Sequence, residues 1–426
     1  MKNHASGTAS TWLQSLTASV RLASVLGALL LLLVATGCGA SEDSRSTQEQ
    51  EQEDVTSADA SADTSEVSQE EDIAQEDISD AEDGDDADVS PDVQEPPAEI
   101  LSAPVIAQFE QAIEDGHPAI IVAVVDGDRS RVYGFGEVDS GGAPDGKTFF
   151  EIGSITKTFT ALLLADAAEA GEVTLEQPVQ ELLPDFGMPA RNGLEITLET
   201  LATQRSGLPR LPTNFQPADM SNPYVDYDAA KLKSFLADYA MPRDPGAAYE
   251  YSNVGYGLLG YALGEKAGSD YATILDTKIF EPLGMLESLP GVSGADATRL
   301  AKGHSSAGHP VPNWEFAVLA PTGAIISHGD DMVRYLEANM GLFDTPLYPA
   351  MQLAHQPRAD GPSASVPIGL GWMTVPSGSG DIIWHNGMTG GYASFMGFLA
   401  DGSRGVVVLT NISKSVDALG IAVLTE

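Results

Sequence analysis

Apolar residues recur at helical spacing from Ala103 to Ala112, which predicts a helix with one face packed on a sheet. The next run, Ala119-Ile-Ile-Val-Ala-Val-Val125, has no polar position and predicts a buried strand. Asp126-Gly-Asp128 then reads as a turn and Ser130 to Gly136 as the return strand of a hairpin. Far along the chain, Ile382–His385, Ser394–Leu399 and Gly405–Thr410 predict three more strands, with Asp401-Gly402 turning between the last two. A helical stretch, Val416 to Leu424, follows. Between the two strand groups lie the apolar helical run Thr158–Ala165, stopped at Gly171, and the stretches Gly255–Lys266 and Ala272–Phe280. Loops such as Ser206-Gly-Leu-Pro209 and Glu281-Pro-Leu-Gly284 separate them.

Five strands divided between the two chain ends imply one α/β (α+β) domain, a five-stranded antiparallel sheet flanked by helices, with a mostly helical insertion. The expected boundaries are 101–426 for the whole, with the α/β part at about 101–170 and 321–426 and the helical part at about 171–320.

Charge changes the picture at the other end. The chain of 426 residues carries a formal net charge of −41, and 23 of its 62 acidic residues lie between Ser41 and Ile100 against a single base, Arg45. Residues 39–100 contain no aromatic residue and few large aliphatics. Such a segment cannot bury enough surface to offset chain entropy, so an acidic disordered tether is expected, spanning on the order of 45 Å or more. The rest of the chain is acidic too, which excludes the clustered Lys/Arg that phosphate binding needs and argues against a nucleic-acid partner. Ahead of the tether, Lys2 and Arg21 flank an apolar run, Leu22 to Ala35, that suits the core of an export signal and is short for a membrane span. Cys38 is the one cysteine, which excludes an intrachain disulfide.

Three patterns, each occurring once, carry the candidate chemistry: Ser154-Ile-Thr-Lys157, Tyr251-Ser-Asn253 and His385-Asn-Gly387. Ser154 falls at the N-terminus of the Thr158–Ala165 helix, with Lys157 one turn on and on the same face. A serine hydroxyl becomes a nucleophile once a neighbour accepts its proton, and a helix N-terminus offers N–H groups to a developing oxyanion. Taken alone, the pair also fits an N-cap and a solvated lysine. Tyr251 lies in a loop entering a helix and can act as a base if positive charge, for which Lys157 is the candidate, lowers its pKa from about 10. Asn253 suits either a substrate amide or the fixing of Lys157. His385-Asn-Gly387 follows the strand Asp381–Trp384 as a turn, where Gly387 lets a substrate approach the strand edge. Alone, His385 fits a structural histidine.

Together these residues resemble the serine β-lactamase and penicillin-binding-protein family, most closely its class C-like and esterase branch. Ser206-Gly-Leu-Pro209, Tyr251 to Gly260, Ile279 to Met285, Leu319-Ala-Pro-Thr-Gly323 and Gly369-Leu-Gly-Trp372 look like that branch's other landmarks, so the likeness covers nearly all of 101–426. The resemblance implies that Ser154 is acylated, that Lys157 and Tyr251 share its proton, and that Asn253, His385 and Gly387 contact substrate. It implies an oxyanion hole from the backbone N–H groups of Ser154 and Met388, and no metal or cofactor. His117, His304, His309, His328 and His355 show no ligand spacing. Val34-Ala-Thr-Gly-Cys38 resembles a bacterial lipobox, which implies cleavage before Cys38, a lipid on it, and an exported enzyme anchored at a periplasmic or cell-surface membrane face through that lipid alone. The implied substrates are small esters, amides, β-lactams or peptidoglycan-like D-amino-acid peptides. A slowly acylating penicillin-binding sensor is the alternative. Two departures favour esters or small amides over β-lactams: His385 stands where the lactamases usually have lysine, and Ser206-Gly-Leu-Pro-Arg-Leu211 places Leu211 where class C enzymes have the glutamine that reaches the substrate amide.

Overall fold

The computed structural model describes residues 99–426; the expected export signal, Cys38 and nearly all of the acidic segment lie outside these residues. The helix α1 (Ala103–Glu114) precedes a hairpin of β1 (Ala119–Asp126) and β2 (Arg129–Gly136). The short strand β3 (Phe149–Glu151) leads into α2 (Thr156–Glu169). A two-residue ribbon, β4 (Ala190–Arg191) with β5 (Leu194–Glu195), and several short helices precede α3 (Asn253–Ala267). Then come β6 (Ile326–His328), which pairs with β3, and the helices α4 (Gly329–Met340) and α5 (Tyr348–His355). The strands β7 (Ala359–Ser363), β8 (Val366–Ile368), β9 (Met373–Pro376), β10 (Asp381–Met388), β11 (Ala393–Leu399) and β12 (Arg404–Thr410) follow, and α6 (Asp417–Leu424) closes the fold.

The main sheet is antiparallel with the order β2-β1-β12-β11-β10-β9-β8-β7. The five foreseen strands are its contiguous portion, joined where β1 from the start of the domain meets β12 from its end, with Ile121 opposite Leu409. The sheet has eight strands, not five. The extra three are short, and β7, β8 and β9 each contain proline, which cannot donate to a ladder and belongs toward sheet edges.

The strands alternate between two cores. Ile121, Ala123, Ile383, Met396 and Leu409 pack with α2, α4 and α5, whereas Ile120, Val122, Ile382, Trp384 and Val408 pack with α1 and α6. That double coverage explains why β1 is apolar throughout. The helix expected over Ala272–Phe280 is α-helical only at Tyr271–Leu275 and widens to a π-turn over Asp276–Phe280, ending at Gly284 in the left-handed conformation. Between Gly171 and Ala320 the described elements are helices and the β4–β5 ribbon.

Candidate active site

Ser154 sits in a single 3-10 turn, Gly153–Ile155, that feeds directly into α2. Neither that turn nor α2 has a side-chain cap, so Ser154 is no N-cap, and it is half-buried among buried neighbours. Lys157 is fully buried, and its Nζ donates to Ser154 Oγ at 3.0 Å and to the Thr322 carbonyl at 2.7 Å. It is not a solvated lysine. Burial pushes its pKa well below the usual lysine range, and the positive charge of Arg210 adds to the effect.

The Thr322 carbonyl reaches Lys157 because two glycines clear the way. A Cβ on Gly257 would lie 2.4 Å from Leu319 Cδ2, and one on Gly260 would lie 2.2 Å from Pro321 Cγ. The landmarks Tyr251–Gly260 and Leu319–Gly323 are thus two halves of one contact, a helix face without side chains and the 3-10 segment Ala317–Thr322 laid on it. Interior glycines cost a helix about 1 kcal/mol each relative to alanine, and here close approach is what they provide.

The middle residue of Tyr251-Ser-Asn253 fixes the turn into α3. Ser252 Oγ accepts from Gly255 N–H at 2.9 Å as the N-cap and donates to the Pro209 carbonyl at 2.7 Å. Asn253 N–H donates to the Arg210 carbonyl at 2.9 Å, so the Ser206–Arg210 loop clamps this turn. Tyr251 is thereby held just outside α3, on the same cleft as Ser154. Its ring centroid lies 4.8 Å from Lys157 Nζ and 5.2 Å from the Arg210 guanidinium carbon. The Tyr251 pKa is pushed up to about 12, because burial outweighs the lowering influence of the nearby Ser154 hydroxyl and the pull of Arg210. The expectation that a charged Lys157 lowers the Tyr251 pKa is corrected. The lysine is itself driven toward neutrality, and the lowering cation is Arg210. Asn253 does not hold Lys157, whose partners are Ser154 and Thr322; Asn253 Oδ1 is buried without a partner. Tyr256 is a core aromatic, fully buried, with its hydroxyl donating to the Ala202 carbonyl at 2.7 Å.

His385-Asn-Gly387 is not a turn. It lies within β10, with His385 opposite Met396 and Gly387 opposite Ser394 in the ladder with β11. The strand's period of two then assigns its side chains: His385 and Gly387 share the face of Ile383 toward α2, and Asn386 faces α6. A Cβ on Gly387 would fall 2.1 Å from the Ile152 carbonyl oxygen and 2.9 Å from Ser154 N. In turn, Gly153 has φ +51°, and a Cβ there would fall 2.7 Å from Met388 N. Two bare backbone positions therefore bring the amide nitrogens of Ser154 and Met388 together, a pattern suited to an oxyanion. His385 is buried, and its Nδ1 lies 2.5 Å from the Asn386 carbonyl. Its pKa falls to about 3, through burial first and then the charge of Lys157, so the imidazole is neutral. The cleft at Ser154 is lined by Arg210, Tyr251, Asn386, Gly387, Met388 and Asp417.

A family model described as "Beta-lactamase" matches residues 105–424. The chain belongs to the β-lactamase family. It is a serine hydrolase of that family, and the comparisons with individual proteins run through most of its length. It is 27% identical over 316 residues to the D-alanyl-D-alanine-carboxypeptidase/endopeptidase AmpH of Escherichia coli K12, covering 70% of this chain and 80% of that one. It is 25% identical over 323 residues to a β-lactamase of Pseudomonas fluorescens, covering 68% and 87%. Among solved structures, a class C β-lactamase from Rhodobacter sphaeroides superposes with a TM-score of 0.66 at 24% identity, covering 76% of this chain and 98% of that one. D-alanine carboxypeptidase AmpC from Burkholderia cenocepacia gives 0.63 at 24%, covering 75% and 98%.

Four residues at or beside this family site had no assigned role in the sequence: Thr322, Arg210, Asn386 and Asp417. Thr322 acts through its carbonyl, and nothing in a side-chain pattern marks that. Asn386 lies inside a recognised motif, and only the strand alternation sends it to the opposite face. Asp417 did leave a signal, being the sole acid in the apolar stretch Val416–Leu424.

Proposed function

We propose that Ser154 is the nucleophile of a hydrolase that forms and breaks an acyl-serine intermediate on small esters or amides. One observation carries the reading: a fully buried, neutral-leaning Lys157 held 3.0 Å from a half-buried serine hydroxyl. Neutral Lys157 takes the Ser154 proton as Oγ bonds to the carbonyl carbon, and the resulting oxyanion receives the N–H groups of Ser154 and Met388. The neutral Tyr251 phenol donates a proton to the leaving oxygen or nitrogen and is replenished from protonated Lys157, which restores the starting state. Water then retraces the route, giving its proton to Lys157 as it attacks the acyl carbon, and Ser154 leaves reprotonated. Asn253 and Gly387 contact the substrate, and neutral His385 supplies a weaker hold on a carboxylate than lysine would. The carboxypeptidase and lactamase names of the relatives bring peptidoglycan-like peptides and β-lactams into the substrate range, with esters and small amides favoured here by His385 and Leu211. We also propose export and a lipid on Cys38, with the acidic segment as tether.

Initial rates on a chromogenic cephalosporin and a short-chain nitrophenyl ester, with Ser154→Ala as blank, test this reading. Ser154-dependent ester hydrolysis exceeding cephalosporin turnover is expected, with an acyl adduct on Ser154 seen by intact-protein mass spectrometry. Equal turnover in Ser154→Ala would overturn it.

A further inference from the structure

The cleft at Ser154 has an acidic residue, Asp417, that lies outside all three motifs. Asp417 is the first residue of α6 and only 4% exposed, yet it lines the same cleft as Ser154. Strand alternation brings it there: Asn386, turned toward α6, donates from Nδ2 to Asp417 Oδ2 at 2.9 Å, and Asp417 N–H donates to Ser415 Oγ at 3.2 Å. Among the described residues the carboxyl's hydrogen-bonding partners, Asn386 and Ser415, are neutral. Burial holds its pKa up to about 6, so it is an anion at about pH 8. Arg210, the cation of the same cleft, belongs to the loop ahead of α3 and stands over the Tyr251 ring.

A buried anion whose hydrogen-bonding partners are neutral repels a second one more strongly than water would allow, because the surroundings screen poorly. We propose that Asp417 is a specificity-determining residue that excludes acyl donors whose acyl chain carries a carboxylate, so the enzyme's substrates are neutral or cationic esters and amides. This rests on the Ser154 hydrolase reading and narrows its substrate class.

The test is a pair of esters of equal shape, 4-nitrophenyl hydrogen adipate and its methyl ester, assayed at about pH 8 with Ser154→Ala as blank. Wild-type kcat/KM should favour the methyl ester by about tenfold or more, chiefly through KM. Asp417→Asn should bring the two esters to within about threefold of each other, and Asp417→Glu should keep the gap. Equal wild-type rates on the pair overturn the proposal without any variant, and so does a gap that Asp417→Asn leaves unchanged. Ser154-independent release of nitrophenolate from both esters instead overturns the hydrolase reading, and the charge filter falls with it.

Discussion

Asp417 also makes a stability prediction that is independent of turnover. Its carboxyl is held up to about 6 in the folded protein, against about 3.9 for an unperturbed aspartate. Folding thus favours the protonated form. The stabilisation is complete below the unfolded pKa and is lost as pH rises through the folded one. The difference of about 2 units corresponds to about 3 kcal/mol at 1.36 kcal/mol per unit. Asp417→Asn removes the titration and keeps an acceptor for Asn386 Nδ2. Relative to wild type, the variant should gain about 2–3 kcal/mol between pH 4 and pH 7.5, appearing as stabilisation at the higher pH. Urea unfolding of both proteins at the two pH values measures this, because every other titrating group cancels in the double difference. A difference between the proteins that stays constant with pH would refute the reasoning, and one that falls with pH would reverse its sign.

Gly260→Ala should lose about 1–2 kcal/mol, since overpacking against Pro321 outweighs the roughly 1 kcal/mol gained in helix propensity; hydrolysis should fall further than the unfolded fraction explains, as Thr322 moves from Lys157, and urea melts with kcat measurements check both. Lys157→Met should cut kcat at least about a hundredfold while the fold persists, and wild-type rates should rise with pH as Lys157 loses its proton, with a midpoint below the ordinary lysine range. His385→Lys should raise the ratio of β-lactam to ester turnover, because a cation replaces an imidazole whose pKa is about 3; an unchanged ratio in paired cephalosporin and ester assays counts against that role.

Local patterns determined much of this protein. The unbroken apolar run of β1 announces a strand covered on both sides, and the period of α1 announces a surface helix, because burial acts on spacings a few residues long. The Ser154–Lys157 spacing likewise foreshadows two side chains brought together at the start of a helix, although Ser154 itself lies in the 3-10 turn that feeds it. Sequence spacing did not reveal which form each group takes. The same lysine that looks like a positive neighbour for Tyr251 becomes a candidate base once the Thr322 carbonyl and full burial surround it. The short proline-bearing strands β7 to β9 were illegible because their pairing depends on an edge that the rest of the sheet creates. Register decided the rest: β10 sends Asn386 to Asp417 and turns His385 and Gly387 toward α2, where Gly387 meets Ile152 and Ser154 more than two hundred positions away, an approach that no local window of sequence contains.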